Sequence, residues 1–166
     1  MRRALLTLLS GFAAVAGAAA QADCRPEMAV AEHALNALRA KSRACGDRMM
    51  SAAPGLRWQA LLAASAQQHA LDLAARDRLD HLGADGASLR TRVRASGYAM
   101  RLAGENLAGG PETLDEALTQ WLASPAHCEN LMEADFQEFG LACVAGPGKL
   151  QRYWVLQLAA PARSKP

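Results

Sequence analysis

The sequence predicts an α+β domain: helices first, and a small antiparallel sheet that they cover. Three observations predict it. Apolar residues recur at three- and four-residue steps through the first half of the chain. Period-two alternation replaces that pattern after Phe139. Between the two lies Gly104 to Leu131, where an acid, a helix and an imidazole follow one another.

The segments before the domain read as export machinery. Arg2 and Arg3 precede an Ala-rich apolar run, and Ala20-Gln21-Ala22 fits a small-x-small cleavage pattern, so residues 1–22 are expected to be a signal peptide. The run is short and small-sided for a membrane anchor, and no later segment is apolar for long enough to span a bilayer. Arg2 and Arg3 are two of the 18 basic residues, so the remainder balances the 16 acidic ones. That neutrality gives no reason to expect nucleic acid or an anionic membrane as partner. Residues 23–160 have the length of one domain with its own core, expected to be monomeric.

The first helix is expected from Pro26 to about Ala44, with Met28, Ala31, Leu35 and Leu38 on one stripe and Cys45-Gly46 as its C-terminal stop. His33 falls off the stripe and reads as exposed. A second helix is expected from Arg57 to Leu79. His69 lies on its apolar face as a packed histidine, and Asp72, Arg76, Asp77 and Arg78 read as a solvated charged face. Asp80 to Gly86 is a loop carrying His81. Ser88 caps a short helix, Leu89 to Ser96, and Tyr98 to Leu107 holds a strand leading into Glu105. Thr113 and Glu116 have capping-box spacing for a fourth helix, with Leu114, Ala117, Leu118 and Trp121 inward and Ser124-Pro125 as its stop. Two strands close the domain, around Phe139 to Cys143 and Tyr153 to Leu158. Residues 161–166 are expected to be a disordered tail.

The chemistry-bearing residues are His81, Glu105 and His127. Neutral imidazoles suit zinc, and a carboxylate can ligate or act as a general base. No H-E-x-x-H spacing is present, so the histidines can meet only through the fold. Four cysteines in an exported chain, with no Cys-x-x-Cys, favour two disulfides. The count alone allows three pairings.

The order of short motifs adds a resemblance. Leu35-Asn36 with Arg39, His81 before Asp85-Gly86, Arg92 with Gly97-Tyr98, Gly104-Glu105-Asn106-Leu107-Ala108, Trp121 with Ser124-Pro125-Ala126-His127, Phe139-Gly140-Leu141 and Tyr153-Trp154-Val155 follow one another in that sequence. Together they resemble the bacterial secreted branch of the CAP superfamily, whose SCP domain is shared by cysteine-rich secretory, antigen 5 and pathogenesis-related 1 proteins. The resemblance implies an α-β-α sandwich with a cleft holding His81, Glu105 and His127, able to take a divalent metal such as zinc on His81 and His127. Ser124 stands where many relatives carry a second acid, and Glu138 is the nearest substitute. Within such a fold the first helix approaches the segment after the fourth, which implies the bridges Cys45–Cys128 and Cys24–Cys143. Asn106 is expected to tie down the Glu105 segment, Trp121 and Trp154 to be core, and Tyr98 to be packing. The functions implied are binding of a small ligand, lipid or cell-envelope component by a secreted or periplasmic protein, or metal-assisted hydrolysis of a peptide or envelope polymer with Glu105 as the candidate catalytic residue.

Overall fold

The computed structural model describes residues 24–163; the expected signal peptide and the last residues of the expected tail lie outside them. Three layers build the domain. Its middle is a four-stranded sheet of β3 (Arg57–Trp58), β4 (Met100–Gly109), β5 (Glu138–Ala145) and β6 (Arg152–Pro161), in the order β3-β5-β6-β4. β5 and β6 pair antiparallel, as do β4 and β6, whereas the two-residue β3 runs parallel to β5. The sheet is thus antiparallel except for one short edge that the helical pattern of residues 57–79 hides.

The alternation of side chains along the strands divides the core. Phe139, Leu141 and Cys143 of β5 join Trp154, Leu156 and Leu158 of β6 on one face, under α1 (Met28–Arg39), α4 (Leu114–Ala123) and α5 (Pro125–Met132). Ala142, Val144, Tyr153 and Val155 occupy the other face, against α2 (Ala60–Arg76). Trp121 and Trp154 are both fully buried. α2 lies so close to β5 that a Cβ at Gly140 would collide with the Ala63 backbone nitrogen. α3 (Leu89–Ala95) is tied on beyond α2, with Val93 as its buried residue.

Several element boundaries differ from the expectation. α1 stops at Arg39, because the Arg39 side chain is buried and donates to the carbonyls of Pro54, Leu131 and Glu133. Cys45-Gly46 is then no helix stop. It belongs to a hairpin of β1 (Arg43–Cys45) and β2 (Arg48–Met50), with Gly46 at φ +59° in the turn. α2 is shorter than expected at both ends. Gln59 caps its start by accepting from the Leu61 N–H, and Asp77 ends it in the left-handed region. The strand expected to lead into Glu105 runs on past it, as the ten-residue β4 ending at Gly109. Ser124-Pro125 stops α4 but starts α5, with Pro125 in the first turn where its missing N–H costs nothing. His127 is therefore helical. Thr113 accepts from the Glu116 N–H as the capping box requires, while Glu116 reaches back one residue further, to the Glu112 N–H. β6 continues to Pro161, and the Ala162 N–H donates to the Ala99 carbonyl, so ordered backbone extends into the stretch expected as tail.

Both implied disulfides are present: Cys24–Cys143 with 5.0 Å between Cα atoms and Cys45–Cys128 with 5.4 Å. The second pins the α1–β1 connection to α5. No helix among the described residues is long and apolar enough to cross a membrane.

Candidate functional site

β4 is an edge strand, and its alternation sends Glu105 and Asn106 to opposite faces of the sheet. Asn106 points into the α5 layer. Its amide donates to the His127 carbonyl at 2.9 Å and its Oδ1 accepts from Asn130 at 3.0 Å. Asn130 also donates to the Glu105 carbonyl. The expected tying role of Asn106 is thus met, with α5 as what it ties. Glu105 points the other way, into the α2–α3 layer, and is almost wholly buried. The site straddles the open edge of β4.

A buried carboxylate needs partners, and Glu105 has them. Arg92 Nη2 of α3 donates to Oε2 at 2.6 Å, Gln157 Nε2 of the neighbouring strand donates to the same oxygen at 3.1 Å, and His81 Nδ1 lies 2.9 Å from Oε1. His69 Nε2 stands 3.8 Å from Oε1. Burial alone would push the Glu105 carboxyl up. The His81 hydrogen bond, the Arg92 charge and His69 outweigh it and hold the group below the usual carboxylate range. The hydrogen bond to Glu105 in turn raises His81 against its partial burial. Burial, then the nearby His81 charge, lowers His127. Among the described residues no hydrogen bond joins the His127 ring to Glu105.

The loop that carries His81 is held from beneath. His69 Nε2 donates to the Asp80 carbonyl at 2.9 Å, Arg92 to the His81 carbonyl at 2.7 Å, Arg76 to the Leu82 carbonyl at 2.9 Å, and the Ala84 N–H to Asp72 at 3.1 Å. Arg76 grips Asp72 with two hydrogen bonds, at 3.2 and 2.6 Å. Asp72 and Arg76, expected as a solvated face, therefore position the loop. Asp77 does the same for the β5–β6 turn by accepting from the Lys149 and Leu150 N–H groups. His69 is the packed histidine expected, with the added task of fixing Asp80.

A domain model of the cysteine-rich secretory protein family matches residues 32–158. The chain belongs to this CAP family. The Bacillus subtilis protein YkwD is 28% identical over 83 residues, which cover half of this chain and 32% of YkwD. Among solved structures, an extracellular SCP-domain protein from Bacillus anthracis superposes at a TM-score of 0.66 with 22% identity over 80% of this chain and 40% of its own. An outer surface protein of Borrelia burgdorferi superposes at 0.71 with 19% identity, covering 86% of this chain and all of its own. This CAP chain therefore spans about a third of YkwD and two fifths of the Bacillus anthracis protein. The structural likenesses show the CAP fold.

Of the residues expected in the cleft, the fold brings His81 onto Glu105, and it places His127 within reach of the charge of His81. Ser124 lies at the α4–α5 junction and makes no side-chain cap bond. Glu138 is committed elsewhere, to the Tyr98 hydroxyl and Arg57. The donor set does not make a closed metal site. Catalytic zinc takes three protein ligands, and among the described residues no three His, Cys, Asp or Glu side chains are grouped to hold one ion. Arg92 competes for the Glu105 carboxylate, which leaves the two imidazoles as donors. Sequence reasoning misses Gln157, although a signal is there: one amide inside the apolar run Tyr153 to Leu158 must find a buried partner.

Proposed function

We propose that this CAP domain is an exported binding module, and that the cleft bounded by His81, Glu105, Ser124 and His127 takes a small ligand, a lipid or a cell-envelope component. One observation carries the reading: both Glu105 oxygens are engaged, by Arg92 and Gln157 on one side and His81 on the other. A general base must reach the proton it abstracts and must have a pKa near the working pH. Glu105 is blocked on the first count and held too low on the second. The carboxylate instead raises the His81 pKa and orients its ring, and His81 stands half-exposed. The cleft then presents one imidazole that Glu105 biases toward its donor-only protonated form beside one that burial biases toward its neutral form, which both donates and accepts. That is a recognition pair for an oxygen-rich ligand. The disulfides, and the extracellular and surface proteins that share the fold, support placement outside the cytoplasm.

The test is equilibrium binding of soluble envelope polysaccharide fragments and of phospholipid vesicles, each with a parallel turnover assay. Saturable binding that weakens at least tenfold in His127→Ala, with no product formed, is expected; tenfold is about the size of one lost polar contact. Product formation lost in Glu105→Gln would replace the binding reading with the metal-assisted hydrolase.

A further inference from the structure

Behind the cleft, between α2, α3 and the Asp80–Ala87 loop, runs a groove that uses neither Ser124 nor His127. It consists of two adjoining hollows of about 270 and 370 Å³, which share Gln68, Asp85, Ala87 and Arg92. Its walls hold three buried polar atoms without a hydrogen-bond partner among the described residues: His69 Nδ1, Ser65 Oγ and Arg92 Nε. Ser65 and His69 are 4% and 1% exposed and both line this groove, so their unpartnered atoms sit at its wall.

The first hollow asks for a donor. His69 Nε2 faces the Asp80 carbonyl, which can only accept, so the ring proton sits on Nε2. Burial lowers His69, and Nδ1 is then a bare lone pair. It stands 3.8 Å from Asp72 Oδ2, one acceptor facing another. A nitrogen or oxygen donor set about 2.2 Å to one side of the line joining them would lie about 2.9 Å from both, a normal hydrogen-bond length. Charge selects among donors. Asp72 and Asp85 line this hollow against one base, Arg92, whose charge Glu105 already matches. Asp72 is paired with Arg76, while Asp85 has no basic partner among the described residues. The second hollow adds Ala64 and Ala95 to the shared Ala87, an apolar floor wide enough for a short carbon chain.

We propose that this groove binds a primary ammonium carried on a short apolar body, with the ammonium between His69, Asp72 and Asp85 and the body along the alanines of α2 and α3. The test is n-butylammonium titrated into the intact, oxidised protein at neutral pH and followed by amide chemical shifts, with n-butanol and butyrate in parallel. Shifts confined to residues 64–72 and 83–96 are expected for the amine alone. Asp85→Asn, which keeps an oxygen to accept from the Ala87 N–H, should weaken binding about tenfold, the size of one lost charge-assisted contact. An unchanged unfolding midpoint will show that the variant is folded. Equal binding of butanol would overturn the ammonium assignment. No shift with any probe would mean that only water fills the groove and would overturn the site. Neither outcome bears on ligands of the His81–His127 cleft.

Discussion

Arg92 Nη2 lies 2.6 Å from Glu105 Oε2, and the two side chains are 10% and 1% exposed. This pair joins the short helix α3 to the interior of the sheet. Removing one partner leaves the other charge buried and unmatched. Arg92→Met should therefore destabilise the fold by about 3 kcal/mol at neutral pH, read from denaturant unfolding. The Glu105 carboxyl, losing the Arg92 charge, should titrate higher. A loss under about 1 kcal/mol, the range of an exposed pair, would show that water reaches Glu105 in the variant.

The histidines of the cleft should titrate in opposite directions. His81 is raised above the ordinary 6.5 of a histidine and His127 is lowered below it. The His81–Glu105 interaction therefore stabilises the fold fully below pH 6.5 and fades as pH rises through the higher His81 pKa. The lowered Glu105 contributes above its ordinary 4.5, and that share is lost as pH falls through its folded pKa. Ring-proton chemical shifts across the range from about pH 4 to 9 will show the two midpoints. Glu105→Gln should bring His81 back toward 6.5.

The Cys45–Cys128 bridge spans 83 residues of sequence. In the chain-entropy description a loop of that size stabilises by roughly 4 to 5 kcal/mol. The Cys45→Ala/Cys128→Ala double variant should lose about that much in denaturant unfolding. It should also broaden the His127 ring signals, because α5 is held at Cys128. A double variant with wild-type stability would place the contribution elsewhere.

Zinc, if taken up, has two imidazoles to hold it. Calorimetry should show weak binding that disappears in His127→Ala and fades as pH falls through the raised His81 pKa, because an imidazole must be neutral to ligate. Ser124→Glu should tighten it by adding a carboxylate. Unchanged affinity in His127→Ala would remove His127 from the site.

Gly140→Ala should be severely destabilising, by about 3 kcal/mol, because its Cβ meets the backbone of Leu62 and Ala63 rather than a side chain that can turn away. A thermal midpoint within about 2 °C of wild type, less than a 1 kcal/mol loss would shift it, would mean that α2 can move off the sheet.

Periodicity found the helices because their buried stripes face a sheet. Leu114, Ala117, Leu118 and Trp121 are legible one residue at a time. It failed where a residue's partner is remote in sequence. Arg39 ends α1 through the carbonyls of Leu131 and Glu133, 92 and 94 residues away, and nothing near Arg39 announces them. Arg57-Trp58 continue a helical pattern, yet pair with Glu138-Phe139 of β5. His81 and Glu105 are visible as site residues because the motif order marks them. The opposite facing of Glu105 and Asn106 is not, since it requires knowing that the segment is a strand.

α3 carries one fully buried apolar side chain, Val93, and its Arg92 attachments are polar. Neither disulfide touches it, for the bridges join the chain at residues 24, 45, 128 and 143. Local opening begins where apolar contacts are few, so α3 should open before the elements that the bridges hold. Lifting it withdraws Arg92 from Glu105 and undoes the hold on the His81 carbonyl in one movement. The charge at the mouth of the cleft is thus governed by a helix that contributes no side chain to the mouth itself.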